Sequence, residues 1–178
     1  YEIPGVKDKV CVITGGAGVI GTSLGLGLAE AGAKVAIVDF NLERANEVAN
    51  LINEKTNSGA IGIFANVLDK NLLIESRNQI HSKLGKIDVL INGAGGNAPS
   101  ATTKEEFVVD NKLDDLSGTL FGLDIEGFRK VFDLNFLGTV LPTMVYAEDL
   151  LKNGGSIINI SSMNAFHPLT KIPAYSAA

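Results

Sequence analysis

Short apolar runs alternate along the chain with longer stretches in which apolar residues recur at helical spacing. The apolar runs are rich in β-branched residues, which favours buried strands. Five strands are predicted in this way, at residues 9–14, 34–38, 60–65, 87–91 and 156–160. Helical spacing predicts four helices between them, at residues 21–31, 42–55, 70–84 and within 123–151. Asn41 is a plausible N-cap of the second helix, Gly32 ends the first, and the last begins near Ile125.

Strands that alternate with helices predict right-handed βαβ units and a parallel sheet covered on both faces. The predicted fold class is therefore α/β, with a doubly wound parallel sheet. Because no domain linker or internal repeat interrupts the pattern, we expect a single domain over residues 1–178.

One polar stretch, residues 96–122, interrupts the alternation and is rich in Thr, Asp and Lys. It is too long for an ordinary connection between a strand and a helix. We therefore interpret it as an insertion. A loop of this length at the carboxyl end of a strand usually contributes to a binding or catalytic site. The alternative is a surface excursion with no role.

Composition excludes several classes of partner and site. The net charge of −5 argues against nucleic acid or an anionic membrane as a general partner. The single cysteine, Cys11, excludes an intrachain disulfide and a thiolate zinc cluster, and we interpret it as a small buried hydrophobe. His81 and His167 are too few and too far apart for a metal site. No apolar run reaches the length of a membrane span, and we expect a cytoplasmic location.

A glycine-rich turn at residues 14–21 joins the first strand to the first helix. Glycines allow backbone N–H groups and the positive end of a helix to approach a pyrophosphate. Asp39 ends the second strand, at the separation expected in a dinucleotide site. Its carboxylate can accept both hydroxyls of an adenine ribose and would repel a 2′-phosphate, so we predict NAD rather than NADP. The alternative is that the glycines serve only a tight turn.

Further small and polar residues follow the third and fourth strands. Residues 92–95 read Asn-Gly-Ala-Gly, which lets the chain pass beneath an adenosine, and Asn92 can tie neighbouring strand ends together through its amide. Asn66 can contact the adenine amino group through its side-chain oxygen, and Val67 follows it.

These motifs, in this order, resemble those of the short-chain dehydrogenase/reductase family, whose fold is the NAD-binding Rossmann domain. Val19 stands where the glycine motif of the family has its middle Gly, and Gly93 stands for the second Asn of Asn-Asn-Ala-Gly. The resemblance and the turn together predict these cofactor-binding residues: Gly15, Ala17, Val19, Ile20, Gly21, Asp39, Asn66, Val67, Asn92, Ala94 and Gly95.

The resemblance also implies three catalytic residues. Tyr175 would remove the proton of a substrate hydroxyl, which needs a phenol whose pKa is lowered by a nearby cation. Ser162 would hydrogen-bond the substrate oxygen, and Asn135 would hold a water of the proton relay. Each has a structural alternative: a packed ring for Tyr175, a strand-end cap for Ser162 and a satisfied buried amide for Asn135.

The motif of the family is Tyr-x-x-x-Lys, so its Lys is expected at the position after residue 178. We therefore expect the domain to be incomplete at the carboxyl end, without its last helices and strands. By itself this stretch should not turn over a substrate, whereas the whole protein should.

Several segments narrow the resemblance to the D-mannonate oxidoreductase (fructuronate reductase) branch. They are residues 95–99, 101–103, 132–135, 141–143, 161–166 and 169–175. The branch implies interconversion of D-mannonate and D-fructuronate with NAD, and the resemblance to the family implies a homo-oligomer, either a tetramer or a dimer.

A sugar acid needs polar donors and a cation near the reacting carbon. The candidate substrate contacts are Asn97, Asn164, His167 and Lys171, with Lys171 as the hypothesised partner of the carboxylate. Its alternative is a solvated surface lysine. Two other functions stay open: a gluconate or polyol dehydrogenase, and a non-catalytic protein that senses a dinucleotide.

Overall fold

A computed structural model describes residues 5–109 and 113–178. All five predicted strands are present, with ends that differ from the predictions by one or two residues. They are β1 (Val10–Thr14), β2 (Lys34–Asp39), β3 (Ile61–Phe64), β4 (Val89–Asn92) and β5 (Ser156–Asn159).

Seven α-helices accompany the strands in the described residues. They are α1 (Val19–Glu30), α2 (Leu42–Thr56), α3 (Lys70–Lys83), α4 (Ile125–Phe132), α5 (Gly138–Tyr146), α6 (Leu150–Asn153) and α7 (Pro173–Ala177). Asn41 caps α2 as predicted, because its side chain accepts the N–H of Arg44.

The prediction of one long helix within 123–151 is wrong in its continuity. A π-helical turn, Asp133–Leu137, separates α4 from α5, and a 3₁₀ turn, Ala147–Asp149, precedes α6. Pro142 lies inside α5 and has no N–H to donate to the carbonyl of Gly138, four residues earlier. The π-helical turn ends directly before that carbonyl, where regular α-helical bonding is lost.

The strands form one parallel sheet in the order β3-β2-β1-β4-β5. Thr14, the last residue of β1, lies opposite Val38 on one side and Asn92 on the other. The sheet is therefore doubly wound, and its strand order reverses between β1 and β4. In such sheets ligands bind outside the carboxyl ends of the strands at this reversal.

The two faces of the sheet are buried by alternate side chains of each strand. On one face Cys11 and Ile13 of β1 pack in a cluster with α1 and α2. On the other face Val10 and Val12 pack in a cluster with α3 and α5. Burying one such aliphatic side chain contributes roughly 1.5–3 kcal/mol, so these clusters hold the strand ends in place.

Two compact units can be distinguished. The first unit comprises Tyr1–Ala94 with Gly138–Ile160, and the second unit comprises Gly95–Leu137 with Ser161–Ala178. The insertion predicted at 96–122 falls in the second unit, and its residues 110–112 lie outside the described residues, as do residues 1–4. The extent of the NAD-binding domain stays a prediction.

The insertion closes on itself at its base. The N–H groups of Lys104 and Glu105 both donate to the carbonyl of Gly118, at 2.9 Å. Short 3₁₀ turns at Pro99–Ala101 and Leu120–Gly122 stand near its two ends. The described helices offer no membrane crossing, since none of them combines sufficient length with sufficient apolar character.

Candidate active site

The glycine turn of the first unit is shaped by close backbone contacts. Gly15 has a φ of +62°, and a Cβ at this position would lie 2.7 Å from the Cα of Ala94. A Cβ at Gly21 would lie 2.6 Å from the Cα of Gly16. Only residues without a side chain fit at Gly15 and Gly21, so the turn packs against both the loop after β4 and the start of α1.

Helix α1 begins at this turn without a side-chain cap. Its N-cap is Gly18, and its first turn contains no acidic residue. The first N–H groups of a helix lack partners within it, and the helix dipole places a partial positive charge there. Val19 and Ile20 are largely exposed, at 87% and 61%. The start of α1 is thus suited to an anion such as a pyrophosphate.

Asp39 is held against the glycine turn. Its Oδ2 accepts the N–H of Ala17 at 3.1 Å, and its Oδ1 accepts the N–H of Asn41 at 3.0 Å. The residue is 8% exposed. A carboxylate has about four acceptor positions, so these bonds leave capacity for ribose hydroxyls. The contact with Ala17 fixes the negative charge beside the turn.

The loop after β4 is tied to its neighbours by two side chains. The buried hydroxyl of Thr14 accepts the N–H groups of Gly93 and Ala94, at 3.2 and 3.3 Å. The Nδ2 of Asn92 donates to Asn159 Oδ1 on β5, at 2.8 Å, and to Thr143 Oγ1 on α5, at 2.9 Å. The predicted tie between strand ends through Asn92 is confirmed.

The sequence did not predict that Thr14, Thr143 and Asn159 would be the hydrogen-bond partners of residues 92–94. The position of Thr14 directly before the glycines was the one available signal. A Cβ at Gly93 would lie 2.9 Å from the carbonyl oxygen of Thr14, so a side chain at this position would require the backbone of the loop or of Thr14 to shift.

Asn66 and Val67 follow β3 in the first unit. Asn66 is exposed, and its Oδ1 accepts the N–H of Leu68 at 3.0 Å, so the oxygen predicted to meet the adenine already serves one backbone bond. Val67 is buried at 8% exposure. Contact of either residue with adenine stays a prediction.

Asn135 lies in the π-helical turn of the second unit. Its Oδ1 accepts the N–H of Gly96 at 3.0 Å, and its Nδ2 donates to the carbonyls of Gly96 and Val131, both at 2.8 Å. A Cβ at Gly95 would lie 2.7 Å from that Oδ1. The side chain therefore fixes the backbone at Gly95 and Gly96. The geometry agrees with the satisfied-amide alternative, and a role in proton relay stays a prediction.

Ser162 caps the 3₁₀ turn Met163–Ala165. Its Oγ accepts the N–H of Asn164 at 3.2 Å, which uses a lone pair and leaves the hydroxyl proton for a ligand oxygen. Asn164 itself is buried, at 4% exposure.

The ring of Tyr175, on α7, packs with Ala98 and Phe128 against a small buried core. That core consists of Ala101, Val131 and Ala174. Tyr146 has a different environment, since it is fully buried and hydrogen-bonded to Ser76 at 2.5 Å. Burial raises the pKa of Tyr146 to about 12, which makes it a poor acid–base group.

The four candidate substrate residues all belong to the second unit. Asn97 donates to Thr102 Oγ1 at 2.8 Å, whereas His167 and Lys171 are exposed. The backbone of Lys171 is left-handed, with a φ of +72°, and its carbonyl accepts the N–H of Thr103 at 2.8 Å.

The predicted residues thus divide between the units. The candidate cofactor residues lie in the first unit except Gly95, and the candidate catalytic and substrate residues all lie in the second. Among residues 5–109 and 113–178, no group of three His, Cys, Asp or Glu side chains could hold a metal ion. His81 contacts Asp149 instead, at 2.5 Å.

Two comparisons by sequence are informative. The profile of the short chain dehydrogenase family matches residues 9–178. An uncharacterized oxidoreductase of Haemophilus influenzae is 49% identical over 174 residues, which cover 97% of this chain and 60% of that protein. The uncharacterized oxidoreductase UxuB of Bacillus subtilis is 41% identical over 176 residues, covering 97% and 61%.

Solved structures show the same similarity. A protein of Haemophilus influenza, provisionally described as a D-mannonate oxidoreductase and solved with bound NAD, matches with a TM-score of 0.87 at 48% identity. The match covers 96% of this chain and 61% of that one. A xylitol dehydrogenase solved with NAD⁺ matches at 24% identity with a TM-score of 0.79, a likeness of fold alone. The chain spans about 60% of the length of these relatives.

Proposed function

The chain belongs to the short chain dehydrogenase family, as its motifs predicted. We therefore propose that the protein is an NAD-dependent oxidoreductase. The enzyme interconverts a secondary alcohol and a ketone. The observation that carries this proposal is the glycine turn with Asp39 fixed against it, since Asp39 Oδ2 accepts the N–H of Ala17. A turn that served only as a tight connection would not need an uncapped helix start and a carboxylate at the same place.

The residues of the first unit fit NAD. The uncapped start of α1 suits the pyrophosphate, and the closed contacts at Gly15 and Gly21 leave backbone rather than side chains facing it. Asp39 suits the two hydroxyls of the adenine ribose, and its charge disfavours the 2′-phosphate of NADP. When bound, NAD supplies the hydride acceptor, and the chain supplies binding and proton transfer.

The residues of the second unit supply the acid–base chemistry. Ser162 donates its hydroxyl proton in a hydrogen bond to the substrate oxygen. During oxidation Tyr175, as its phenolate, accepts the proton of the substrate hydroxyl, and during reduction, as the phenol, it returns a proton to the carbonyl oxygen. A positioned acid–base group contributes roughly 10²–10⁴-fold to a rate. Asn135 holds the backbone of Gly96 through two hydrogen bonds.

The proposed substrate is a sugar acid, with D-mannonate and D-fructuronate as the first pair to test. Support comes from the structure described as a D-mannonate oxidoreductase, at 48% identity, and from the exposed side chain of Lys171 as the partner of a carboxylate. Gluconate and neutral polyols are the alternative substrates. The homo-oligomeric state and the cytoplasmic location expected from the resemblance also remain proposals.

One set of assays on the native protein tests the proposal. We expect turnover of a sugar acid with a kcat/KM that is higher for NAD than for NADP. Tyr175→Phe should lower kcat by about 10³-fold, and Lys171→Met should raise KM for the sugar acid but not for a neutral polyol. NAD binding without turnover of any sugar acid or polyol would favour the dinucleotide sensor. A preference for NADP would overturn the assignment to Asp39, and equal effects of Lys171→Met on both substrates would overturn its role.

A further inference from the structure

The insertion is bound to the segment that carries Tyr175 through a small apolar core. Ala101, in the 3₁₀ turn at the start of the insertion, and Ala174, next to Tyr175, are both 0% exposed and belong to the same cluster. The approach of α4 to this turn is equally close, because a Cβ at Gly127 would lie 2.4 Å from the carbonyl oxygen of Ser100. The start of the insertion is thus packed on both α4 and α7.

A second connection lies a few residues further along the insertion. The N–H of Thr103 donates to the carbonyl of Lys171 at 2.8 Å, and Thr170 Oγ1 donates to Glu106 Oε1 at 2.8 Å. We call these two bonds the clasp. Residues more than sixty positions apart in sequence meet there, and the segment they hold ends four residues before Tyr175.

The clasp grips a strained part of the segment. Lys171 has a φ of +72°, a conformation in which the Cβ of an ordinary residue meets the backbone. Strained residues of this kind persist where neighbouring contacts over-determine them. The two bonds of the clasp hold the backbone on both sides of this strained conformation. One is accepted by the carbonyl of Lys171, and the other is donated by the side chain of the preceding residue, Thr170.

The clasp borders open space. A cavity of about 200 Å³ is lined by Glu106, Thr170 and Lys171 among others. Loss of the Thr170–Glu106 bond would therefore loosen the segment, which the Thr103–Lys171 bond still holds, without creating a clash or a large packing defect.

We propose that Glu106 is a positioning residue for the proton-transfer step: through Thr170, it holds the segment that sets the place of Tyr175. This inference rests on the function proposed for Tyr175, and it gives the insertion a role in catalysis. The bond is exposed and charge-assisted, because a carboxylate accepts from the hydroxyl, and such bonds are shorter and stronger than neutral ones. Small displacements of a reacting group cost large factors in rate, so the effect is expected in kcat.

The test uses matched pairs of variants in the native protein. Glu106→Ala removes the acceptor and Thr170→Val removes the donor at nearly constant shape, whereas Glu106→Gln and Thr170→Ser keep a bond. We expect Glu106→Ala and Thr170→Val each to lower kcat by about tenfold, with the dissociation constant for NAD unchanged. Glu106→Gln and Thr170→Ser should stay near the native rate. Glu75→Ala, at an exposed glutamate on α3, controls for loss of surface charge.

The double variant Glu106→Ala/Thr170→Val separates coupling from separate damage. If Glu106 and Thr170 act through their shared bond, kcat of the double variant is no lower than that of either single variant. A double variant whose loss of kcat is the product of the two single losses would overturn the inference. Should Glu106→Ala unfold the protein, the comparison of Thr170→Val with Thr170→Ser decides, and equal rates for that pair count against the proposal.

Tyr175→Phe distinguishes this inference from the function beneath it. An inactive Tyr175→Phe together with a fully active Glu106→Ala would overturn the positioning role of Glu106 and leave the proposed function standing. A fully active Tyr175→Phe would overturn the proposed function itself.

Discussion

The two units reach their candidate functions by different means. In the first unit the glycine turn and Asp39 stand at the ends of β1 and β2, whose inner side chains such as Ile13 and Ile37 are 0% exposed, and the turn is fixed by close backbone contacts. In the second unit Tyr175 stands on a core of three small or medium residues, helped by the clasp. The close backbone contacts of the first unit do not tolerate an added side chain, whereas the side-chain contacts that support Tyr175 in the second unit can be weakened one at a time. Substitutions that crowd the glycine turn should therefore weaken NAD binding, whereas substitutions that loosen the support of Tyr175 should lower the catalytic rate.

Among substitutions that separate the two units, the largest expected effect is the weakened binding of NAD in Gly21→Ala. A Cβ there would meet the backbone of Gly16 at 2.6–2.7 Å, and neither the turn nor α1 can yield easily. We expect the affinity for NAD to fall by roughly a hundredfold, since overpacking against backbone costs about 3 kcal/mol. Titration of the protein with NAD measures it.

Gly27→Ala, on the same helix, is the matched control. A Cβ at Gly27 would meet nothing within 4 Å, so the substitution should leave the affinity for NAD unchanged and raise the stability of the helix slightly. Equal affinities for the two variants would contradict the close-contact account of the turn.

A smaller effect, in the second unit, is expected from Gly127→Ala. Within a helix this change is usually favourable by about 1 kcal/mol, but here the new Cβ would lie 2.4 Å from the carbonyl oxygen of Ser100. The displaced 3₁₀ turn carries Ala101 with it, and we expect kcat to fall by about tenfold. Steady-state rates and titration with NAD test this contrast between the two units. If Gly127→Ala lowered the affinity for NAD as much as it lowered kcat, the contrast would be contradicted.

The smallest effect concerns the start of the sheet. Asp88 accepts from Lys9 Nζ at 2.8 Å and from the N–H of Val10 at 3.0 Å. Partial burial raises the pKa of Asp88, but the hydrogen bonds from Lys9 and Val10 and the charges of Lys9 and Lys34 together lower it below the ordinary value. A lowered pKa in the folded state means that Asp88 stabilises the fold at neutral pH, and that this stabilisation is lost as the pH falls below about 4.

Asp88→Asn should accordingly lower Tm at pH 7 by about 2 °C or less, because the pair is partly exposed. The difference from the native protein should shrink as the pH falls through the pKa of Asp88. Thermal unfolding at several pH values checks this, and a difference that grew with acid would have the wrong sign. The rate with saturating substrate should not change, since Asp88 lies in the scaffold.

The elements of the first unit could be predicted because local patterns determine them. Apolar runs with β-branched residues gave the five strands, and Gly15, Gly21 and Asp39 follow from the chemistry that a pyrophosphate and a ribose need. The broken helix between Ile125 and Asn153 was harder, because a π-helical turn of five residues is too short to show in a pattern that is read over several helical turns.

The second unit depends on contacts that no local pattern encodes. The Thr170–Glu106 bond joins residues 64 positions apart, and nothing in the sequence near either residue points to the other. Gly127 looks like an ordinary weak point in a helix until Ser100 is placed beside it. Asn135 could be read from sequence as a relay residue or as a satisfied amide, and only its bonds to Gly96 reveal what its side chain holds.

The closed base of the insertion has a consequence for engineering. The carbonyl of Gly118 accepts the N–H groups of both Lys104 and Glu105, so the excursion from residue 104 to residue 118 begins and ends at neighbouring points. The part between these points can therefore change in length without displacing the residues before it. The residues that hold the Tyr175 segment, Thr103 and Glu106, lie directly before and directly after the Lys104–Glu105 start of that excursion. A graft intended to carry this insertion into another scaffold would have to include Thr170 and Lys171 as well, or Glu106 would arrive without a counterpart.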